Sequence, residues 1–396
     1  MVVGAKSGVK TATRGARAVP RTVVTSGAAV ALVIGAQSAV YAACSFGNPP
    51  PGPLGAQSTV FATRTVNSIG AAIGTANTAF QTQTSAFLAS PPGSKPNEFA
   101  SGFWVRGVGG ETTIDSKANG IFGFTGGSLN CKDSSRNEYW GTQAGFDFGT
   151  LAVGNTGWNV HGGATFGYLE VDSFASTNKV NTQVPFVGLY AALTNGGFYI
   201  DAQLRRDFYR MDISSPDVSV FGAKLNARGW SFSSSAGYNY AVGSYFIEPS
   251  VAISYSRTGI DTLAAVTTVG PNSNLKLIDV DDVESVLGRA GVRVGTSFIA
   301  GGMSLQPFAA ASVWNEFAGS TGASVLNTQN NSRSTFNSSR VGTFGQYSIG
   351  ISGGVIDTGW LGYVRADYRN GANIEGWSVN GGLRYQFAPA AARASR

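Results

Sequence analysis

The chain has 396 residues, of which 54 are glycine, 13% are charged and 11% are aromatic, with a formal net charge of +6. A soluble domain carries about 25% charged residues, so this composition argues against a soluble enzyme. No apolar run after residue 43 approaches the roughly 20 residues of a membrane-spanning helix, which argues against a helical bundle and leaves a β-barrel.

Residues 1–42 read as a secretory signal peptide. Lys6, Lys10, Arg14, Arg17 and Arg21 precede an apolar stretch at 23–36, and Val40 and Ala42 satisfy the small-residue rule for cleavage after Ala42. These cations account for most of the positive excess, because without them 23 basic residues face 22 acidic ones. The sequence therefore offers no basis for nucleic-acid binding. A Pro/Gly-rich segment follows at 43–56, containing CSFGNPPPGPLGA, which has no capacity to fold alone.

Residues 57–93 are expected to hold one helix and a hinge. Val66, Ile73, Phe80 and Phe87 recur every seven residues, with Ile69 and Ala76 between them, and so form one stripe along a helix. The remaining faces are mostly Thr, Ser, Asn and Gln, and Arg64 is the single charge before Pro91, Pro92 and Gly93 break the pattern. A polar helix with so little charge suits the interior of a barrel. Its many threonines make it a poor helix on propensity, and an unstructured periplasmic linker is the competing reading.

Residues 94–387 carry twelve runs in which apolar and polar residues alternate with period two, as a strand between lipid and a wet lumen requires. They centre on 99–108, 139–148, 158–168, 180–193, 198–208, 230–242, 245–255, 286–298, 304–313, 341–353, 360–368 and 377–387. In the last run Trp377, Val379, Leu383, Tyr385 and Phe387 form one face, while Ser378, Asn380, Arg384 and Gln386 form the other. The same parity turns Asp147, Asp201, Arg205, Asp207, Glu248, Arg289, Arg293, Arg365, Asp367 and Arg384 inward. Buried charges need partners, so cross-strand ion pairs are expected to brace the wall against the helix.

Connections supply a second criterion, since outer-membrane barrels have short periplasmic turns and longer external loops. Short links centre on Gly154-Asn155, Asn195-Gly196, Gly243-Ser244, Gly301-Gly302 and Asp357-Thr358. They alternate with long ones at 111–137, 172–179, 210–221, 258–283, 318–340 and 370–375, which predicts an even strand count with both barrel ends on the periplasmic side. The fold expected is all-β: a twelve-stranded antiparallel transmembrane barrel with an N-terminal helix in its pore. A tail at 388–396 follows.

Candidate chemistry is sparse. Gly350-Ile351-Ser352-Gly353-Gly354 matches G-x-S-x-G, but that pattern marks a nucleophile only on a strained strand-to-helix turn, and here it falls within a strand. His161, the only histidine, faces inward by alternation, whereas the Ser and His pair of some twelve-stranded outer-membrane phospholipases faces lipid. Asp279, Asp281, Asp282 and Glu284 lack the glycine-centred spacing of a calcium loop and read as a solvated face. Two cysteines and one histidine far apart exclude a Cys/His metal site. No catalytic residue, metal or cofactor is expected.

The helix, the hinge, the twelve strands and the terminal Phe387 together resemble the translocator β-domain of autotransporters, the type V secretion family. The resemblance covers residues 57–387 and rests on WVRGVGG at 104–110, GFYIDAQL at 197–204, IEPSVAISYSR at 247–257 and GLRYQF at 382–387. It implies a bacterial outer-membrane location with loops at the cell surface, a helix in the pore leading outward to a secreted passenger, and a terminal strand with Tyr385 and Phe387 that the barrel assembly machinery reads. Outer-membrane lipid and that machinery are the expected partners, and the barrel is expected to be a monomer. Some members cleave themselves at paired asparagines in the helix; here Asn67 and Asn77 stand apart, so cleavage is not implied.

If the helix runs through the pore, Cys44 emerges outside, on the side of Cys131 in the first long loop. An exported pair on one side of a membrane is disulfide-permissive, and a Cys44–Cys131 bridge is predicted. Lipidation of Cys44 is the rival, although Tyr41 stands where a lipoprotein signal prefers Leu. Residues 43–56 leave little room for a passenger. The function expected is a translocator barrel with little or no passenger, with a porin-like channel or a surface adhesion barrel as the alternative.

Overall fold

The structure is a computed structural model that describes residues 43–47, 53–81, 97–123, 125–356 and 358–387. The expected signal peptide at 1–42, the expected hinge at 91–93 and the tail at 388–396 lie outside the described residues. The elements in order are β1 (Ala43–Phe46), α1 (Pro53–Ala79), β2 (Glu98–Ile121), β3 (Ser128–Leu151), β4 (Asn159–Ala175), β5 (Asn178–Asn195) and β6 (Phe198–Ser215). β7 (Val220–Tyr238) continues as β8 (Tyr240–Val242), and β9 (Tyr245–Ile260), β10 (Leu263–Val269) and β11 (Asn272–Val280) follow. β12 (Val283–Thr296) continues as β13 (Phe298–Ala300), and then come β14 (Met303–Glu316), β15 (Thr321–Asn327), β16 (Ser332–Ser338), β17 (Thr343–Val355), β18 (Trp360–Gly371) and β19 (Ile374–Phe387).

Twelve of these strands pair antiparallel into a closed ring: β2, β3, β4, β5, β6, β7, β9, β12, β14, β17, β18, β19 and back to β2. All twelve expected strands lie in it. Closure matters physically because an open edge would leave backbone donors unpaired in hydrocarbon, where each costs several kcal/mol. The last seam runs in unbroken register from Ile374 opposite Ile114 to Phe387 opposite Ser101.

Side-chain polarity follows the strand parity read from sequence. On β19 Leu383 is 55% exposed and Arg384 3%; on β3 Trp140, Phe146 and Phe148 face out while Gln143 and Asp147 are buried. Tyr245, Ile247, Val251, Ile253 and Tyr255 mark the same outward belt on β9. Such a run, at about 3.3 Å per residue and with a typical tilt, spans roughly the 25 Å apolar band of outer-membrane barrels. At the periplasmic end the turns are tight. Gly301 and Gly302 both take positive φ (56° and 76°), the backbone that a two-residue hairpin demands and that glycine adopts without strain.

The expected long loops are mostly strand instead. Residues 111–137 form the outer ends of β2 and β3, 172–179 reduces to a turn at Ser176 and Thr177, and 210–221 is largely β6 and β7. Residues 258–283 hold the hairpin β10–β11 and 318–340 the hairpin β15–β16. Cross-pairing of β11 with β15, β16 with β2 and β1 with β3 carries the sheet outward into a crown. In the crown the polarity reverses: Leu129, Ile213, Leu225, Leu263, Ile278, Val325 and Phe336 point inward into one core with Phe61, Val66 and Ile69 of the helix. Lys132, Arg136, Arg210 and Lys224 face out. A search for apolar-outward alternation misses these strands because water, not lipid, lies outside them.

Helix α1 begins at Pro53, four residues before the expected 57, and its last helical residue is Ala79. Proline suits the first helical position, where its missing N–H would have had no partner. The predicted stripe of Val66, Ile69, Ile73, Ala76 and Phe80 is buried, and so are Thr63, Thr65, Ser68 and Asn77 on the other faces. Phe87 lies outside the described residues. Threonine hydroxyls help make this burial tolerable: Thr59, Thr63 and Thr78 each donate to the carbonyl one turn back, at 2.9, 3.0 and 3.1 Å.

Candidate functional site

The site is the lumen and the helix lodged in it. The outer half of α1 is tied to the crown. Asn178 donates to the Phe61 carbonyl at 3.3 Å, Ser338 donates to Asn67 at 2.6 Å, and Ser68 meets Ser135 at 3.3 Å. Arg64 reaches Asp217 at 3.5 Å. Beside this contact the Asp133 carboxyl is buried on the outer part of β3, beyond Trp140 and the apolar belt, and burial pushes it up to about 6 because Arg64 and Asn67 offset the desolvation only in part.

Polar groups of the barrel wall receive the inner half. Asn77 donates to Ser256 at 2.7 Å and Gln81 to Ser254. The last turn of a helix leaves carbonyls without intrahelical partners and carries a partial negative charge, and α1 has no basic residue there. The wall supplies the cations. Arg205 on β6 donates to the Ala76 carbonyl at 3.2 Å, while Arg369 on β18 donates to the Thr78 hydroxyl at 3.0 Å and its carbonyl at 3.4 Å. Arg106 lies over the Phe80 ring at 5.3 Å.

Eight of the ten lumen charges named from sequence fall into ion pairs. Arg205 meets Asp207 at 2.7 Å, Arg293 meets Glu248 at 2.5 Å, Arg365 meets Asp367 at 3.0 Å and Arg384 meets Asp147 at 2.6 Å. The expected cross-strand pattern holds for Arg293 and Glu248, which are register partners, and Arg384 reaches over β2 to β3. It does not hold for Arg205–Asp207 or Arg365–Asp367, which sit two apart on one strand, where side chains share a face. Asp201 accepts from the Ser235 amide and hydroxyl at 3.1 and 2.6 Å. Arg289 stacks on Trp314 at 5.6 Å and reaches Ser250 at 3.4 Å.

Arg106 and Arg369 were not singled out by sequence reasoning. The signal was available, because Arg369 shares the parity of Arg365 and Asp367. Beneath the helix end lies a cavity of about 120 Å3 lined by Trp104, Arg106, His161, Tyr190 and Arg384 among others.

Cys44 and Cys131 are bonded, with S–S 2.09 Å, and stand directly opposite in the β1–β3 register. The bridge ties the chain just ahead of α1 to the crown. At the other end of the barrel, Tyr385 and Phe387 join Phe103 and Trp360 in an aromatic cluster over the closing seam, with ring centroids 4.9 Å apart for Trp360–Tyr385 and 6.2 Å for Phe103–Phe387.

The profile of the autotransporter β-domain matches residues 103–367. The chain belongs to this family. It is an outer-membrane translocator β-barrel of the autotransporter type, exposed at the cell surface. Pertactin autotransporter of Bordetella parapertussis is 28% identical over 346 residues, covering 85% of this chain and 34% of its own length. Probable autotransporter YcgV of Escherichia coli is 27% identical over 295 residues, covering 72% and 27%. The chain thus spans about a quarter to a third of the length of these curated relatives. Among solved structures, the β domain of the Bordetella autotransporter BrkA superposes with a TM-score of 0.50 at 21% identity, covering 72% of this chain and 99% of that one. The translocator domain of NalP from Neisseria meningitidis gives 0.50 at 16% identity, covering 83% and 100%.

In this autotransporter barrel the other candidate groups take structural places. Ser352 lies inside β17, and no helix follows that strand, so the turn that makes G-x-S-x-G a nucleophile is missing. His161 is buried with its Nδ1 3.6 Å from Asp147. In the acidic cluster, Asp282 is paired with Arg257 at 2.8 Å and Asp279 accepts from Thr262 at 2.6 Å. Among the described residues no group of carboxylates, histidines and cysteines is arranged to hold a metal ion.

Proposed function

We propose that this translocator barrel is held shut by its own helix, with residues 57–93 acting as plug and tether. One observation carries the reading: α1 is buried along most of its length from Ser58 to Ala79, with Val60, Arg64, Gly70 and Gly74 half-buried, and its terminal carbonyls are held by Arg205 and Arg369 of the wall. A helix that merely passed through a wide channel would not have its end carbonyls fastened to the wall. The charged lumen residues Asp201, Arg205, Asp207, Glu248, Arg289, Arg293, Arg365, Asp367 and Arg384 act in this reading as braces that fix the wall around the plug.

Two partners belong to the same proposal. Outer-membrane lipid surrounds the apolar belt of the single barrel, which works as a monomer. The barrel assembly machinery engages β19, with the outward Tyr385 and Phe387 as the terminal aromatics it reads. No reaction is assigned, in keeping with the missing turn at Ser352.

Planar-bilayer recording tests the plug. The full chain should conduct poorly, and deletion of residues 57–89 should open a large, steady conductance. A full chain with large conductance that the deletion leaves unchanged would point to a porin-like channel and sink the proposal.

A further inference from the structure

The outer rim of the apolar belt carries charge on one side that the protein itself does not neutralise. Several exposed cations of the crown have a carboxylate at hand: Arg136 has Glu138 at 3.0 Å, Lys179 has Asp172 at 3.3 Å, Arg257 has Asp282 at 2.8 Å, and Lys224 has Asp212. Arg206, Arg210 and Arg228 have none within ion-pair distance among the described residues. Arg206 has aromatic contacts instead. The Arg206 guanidinium stands 4.7 Å over the Trp230 ring and 5.9 Å from Phe208.

Strand register fixes where this patch sits. Arg206 is opposite Trp230, Phe208 opposite Arg228, and Arg210 opposite Asn226 on β6 and β7, all facing outward. One step inward in the same lattice Leu204 is opposite Phe232, and Phe232 is opposite Tyr255, the last aromatic of the β9 belt. Arg206 therefore stands at the level where hydrocarbon gives way to headgroups, with Val187 as its neighbour on β5. A cation in such apolar company is costly without a counter-ion. Arg206 and Arg228 are diagonal neighbours, roughly 7–8 Å apart at the backbone, so two guanidinium forks can converge on one anion. A guanidinium matches phosphate with two parallel hydrogen bonds.

We propose that Arg206, Arg228 and Arg210, with Trp230 and Phe208, form a docking site for a phosphate-bearing lipid of the outer leaflet. The guanidinium groups take the phosphate, and an acyl chain lies along Trp230, Phe232 and Leu204. A soluble anion would satisfy the charges but leave the aromatic half of the patch without a role, and a lipid satisfies both.

The test uses the full chain refolded in maltoside detergent micelles, which carry no phosphate, with diphosphoryl lipid A and its dephosphorylated form as probes and native mass spectrometry as the readout. Wild type is expected to retain the phosphorylated lipid and to release the dephosphorylated form. Arg206→Gln/Arg228→Gln should weaken retention roughly ten- to hundredfold, and Arg206→Lys should weaken it less, because charge remains while the fork is lost. Lys117→Gln/Lys132→Gln, an equal charge loss at register partners high in the crown, should leave retention unchanged. Excess inorganic phosphate should not compete. Equal retention by wild type and the double arginine variant overturns the proposal, as does equal loss in the lysine variant or displacement by inorganic phosphate. Heat-modifiable migration on gels confirms that each variant is folded, and Arg206→Lys carries the test if the double variant does not fold.

Discussion

The same strands build two regions of opposite polarity. In the membrane belt, β3 turns Trp140, Phe146 and Phe148 outward and keeps Gln143 and Asp147 inside; a few residues further out it turns Leu129 and Cys131 inward and sends Lys132, Arg136 and Glu138 out. β6 repeats the inversion, with Arg205 and Asp207 inside the belt and Met211 and Ile213 inside the crown. The strand geometry does not change between the two; the medium outside does. The belt is therefore held by ion pairs and hydrogen bonds around a polar lumen, whereas the crown has the dry apolar core of a soluble sandwich, and α1 passes from one into the other.

The comparison can be broken by damaging each region in its own currency. The largest effect is expected from Glu248→Gln, which leaves the buried Arg293 facing a neutral amide in place of the carboxylate 2.5 Å away and should cost about 3–5 kcal/mol. Heat and denaturant resistance of the folded barrel should fall while hydrogen exchange in β10–β11 and β15–β16 keeps its protection. Phe336→Ala should cost a comparable roughly 3–5 kcal/mol through a cavity in the crown core, with the opposite signature: faster exchange in the crown hairpins and an unchanged unfolding midpoint for the belt. Equal loss in both regions from either change would show that they unfold as one unit.

A smaller effect sharpens the comparison through pH. Asp133 titrates at about 6 in the folded crown and near 3.9 once solvated, so between those values the folded state holds a proton that the opened state releases. Crown stability should therefore rise as pH falls from 7 through 6 toward 4, by on the order of 3 kcal/mol in total. Exchange of β3 amides near Ser134 should slow over that window beyond the intrinsic pH effect, and Asp133→Asn should remove the trend. A trend of the opposite sign would mean that Arg64 outweighs the desolvation of the carboxyl.

What was legible in the sequence tracks these two regions. The twelve belt strands can be read because lipid on one side and a polar lumen on the other force period two, as Trp377 to Phe387 shows, and the parity of Arg205, Asp207, Arg365 and Asp367 follows at once. Their partners could not be read: parity says that a side chain is inside, not whether it turns along its own strand or across to the next. The crown hairpins escaped because Leu263, Ile278, Val325 and Phe336 face inward on strands of only seven to nine residues, a pattern that resembles loop when lipid is assumed outside. For the helix the stripe from Val66 to Phe80 was visible, but burial of Thr63, Thr65 and Ser68 on the other faces was not, since threonine normally argues against both helix and core.

By itself the sequence determined strand number and inward parity, because each is a local periodicity imposed by the medium that touches the strand. Only the tertiary structure decided that the outer strand ends gather into a crown, that Arg205 and Arg369 seize the last carbonyls of α1, and that Arg206, Arg210 and Arg228 cluster at the membrane rim. Those outcomes depend on which strands become neighbours when the ring closes, and on the register at which they meet, neither of which any single strand's pattern contains.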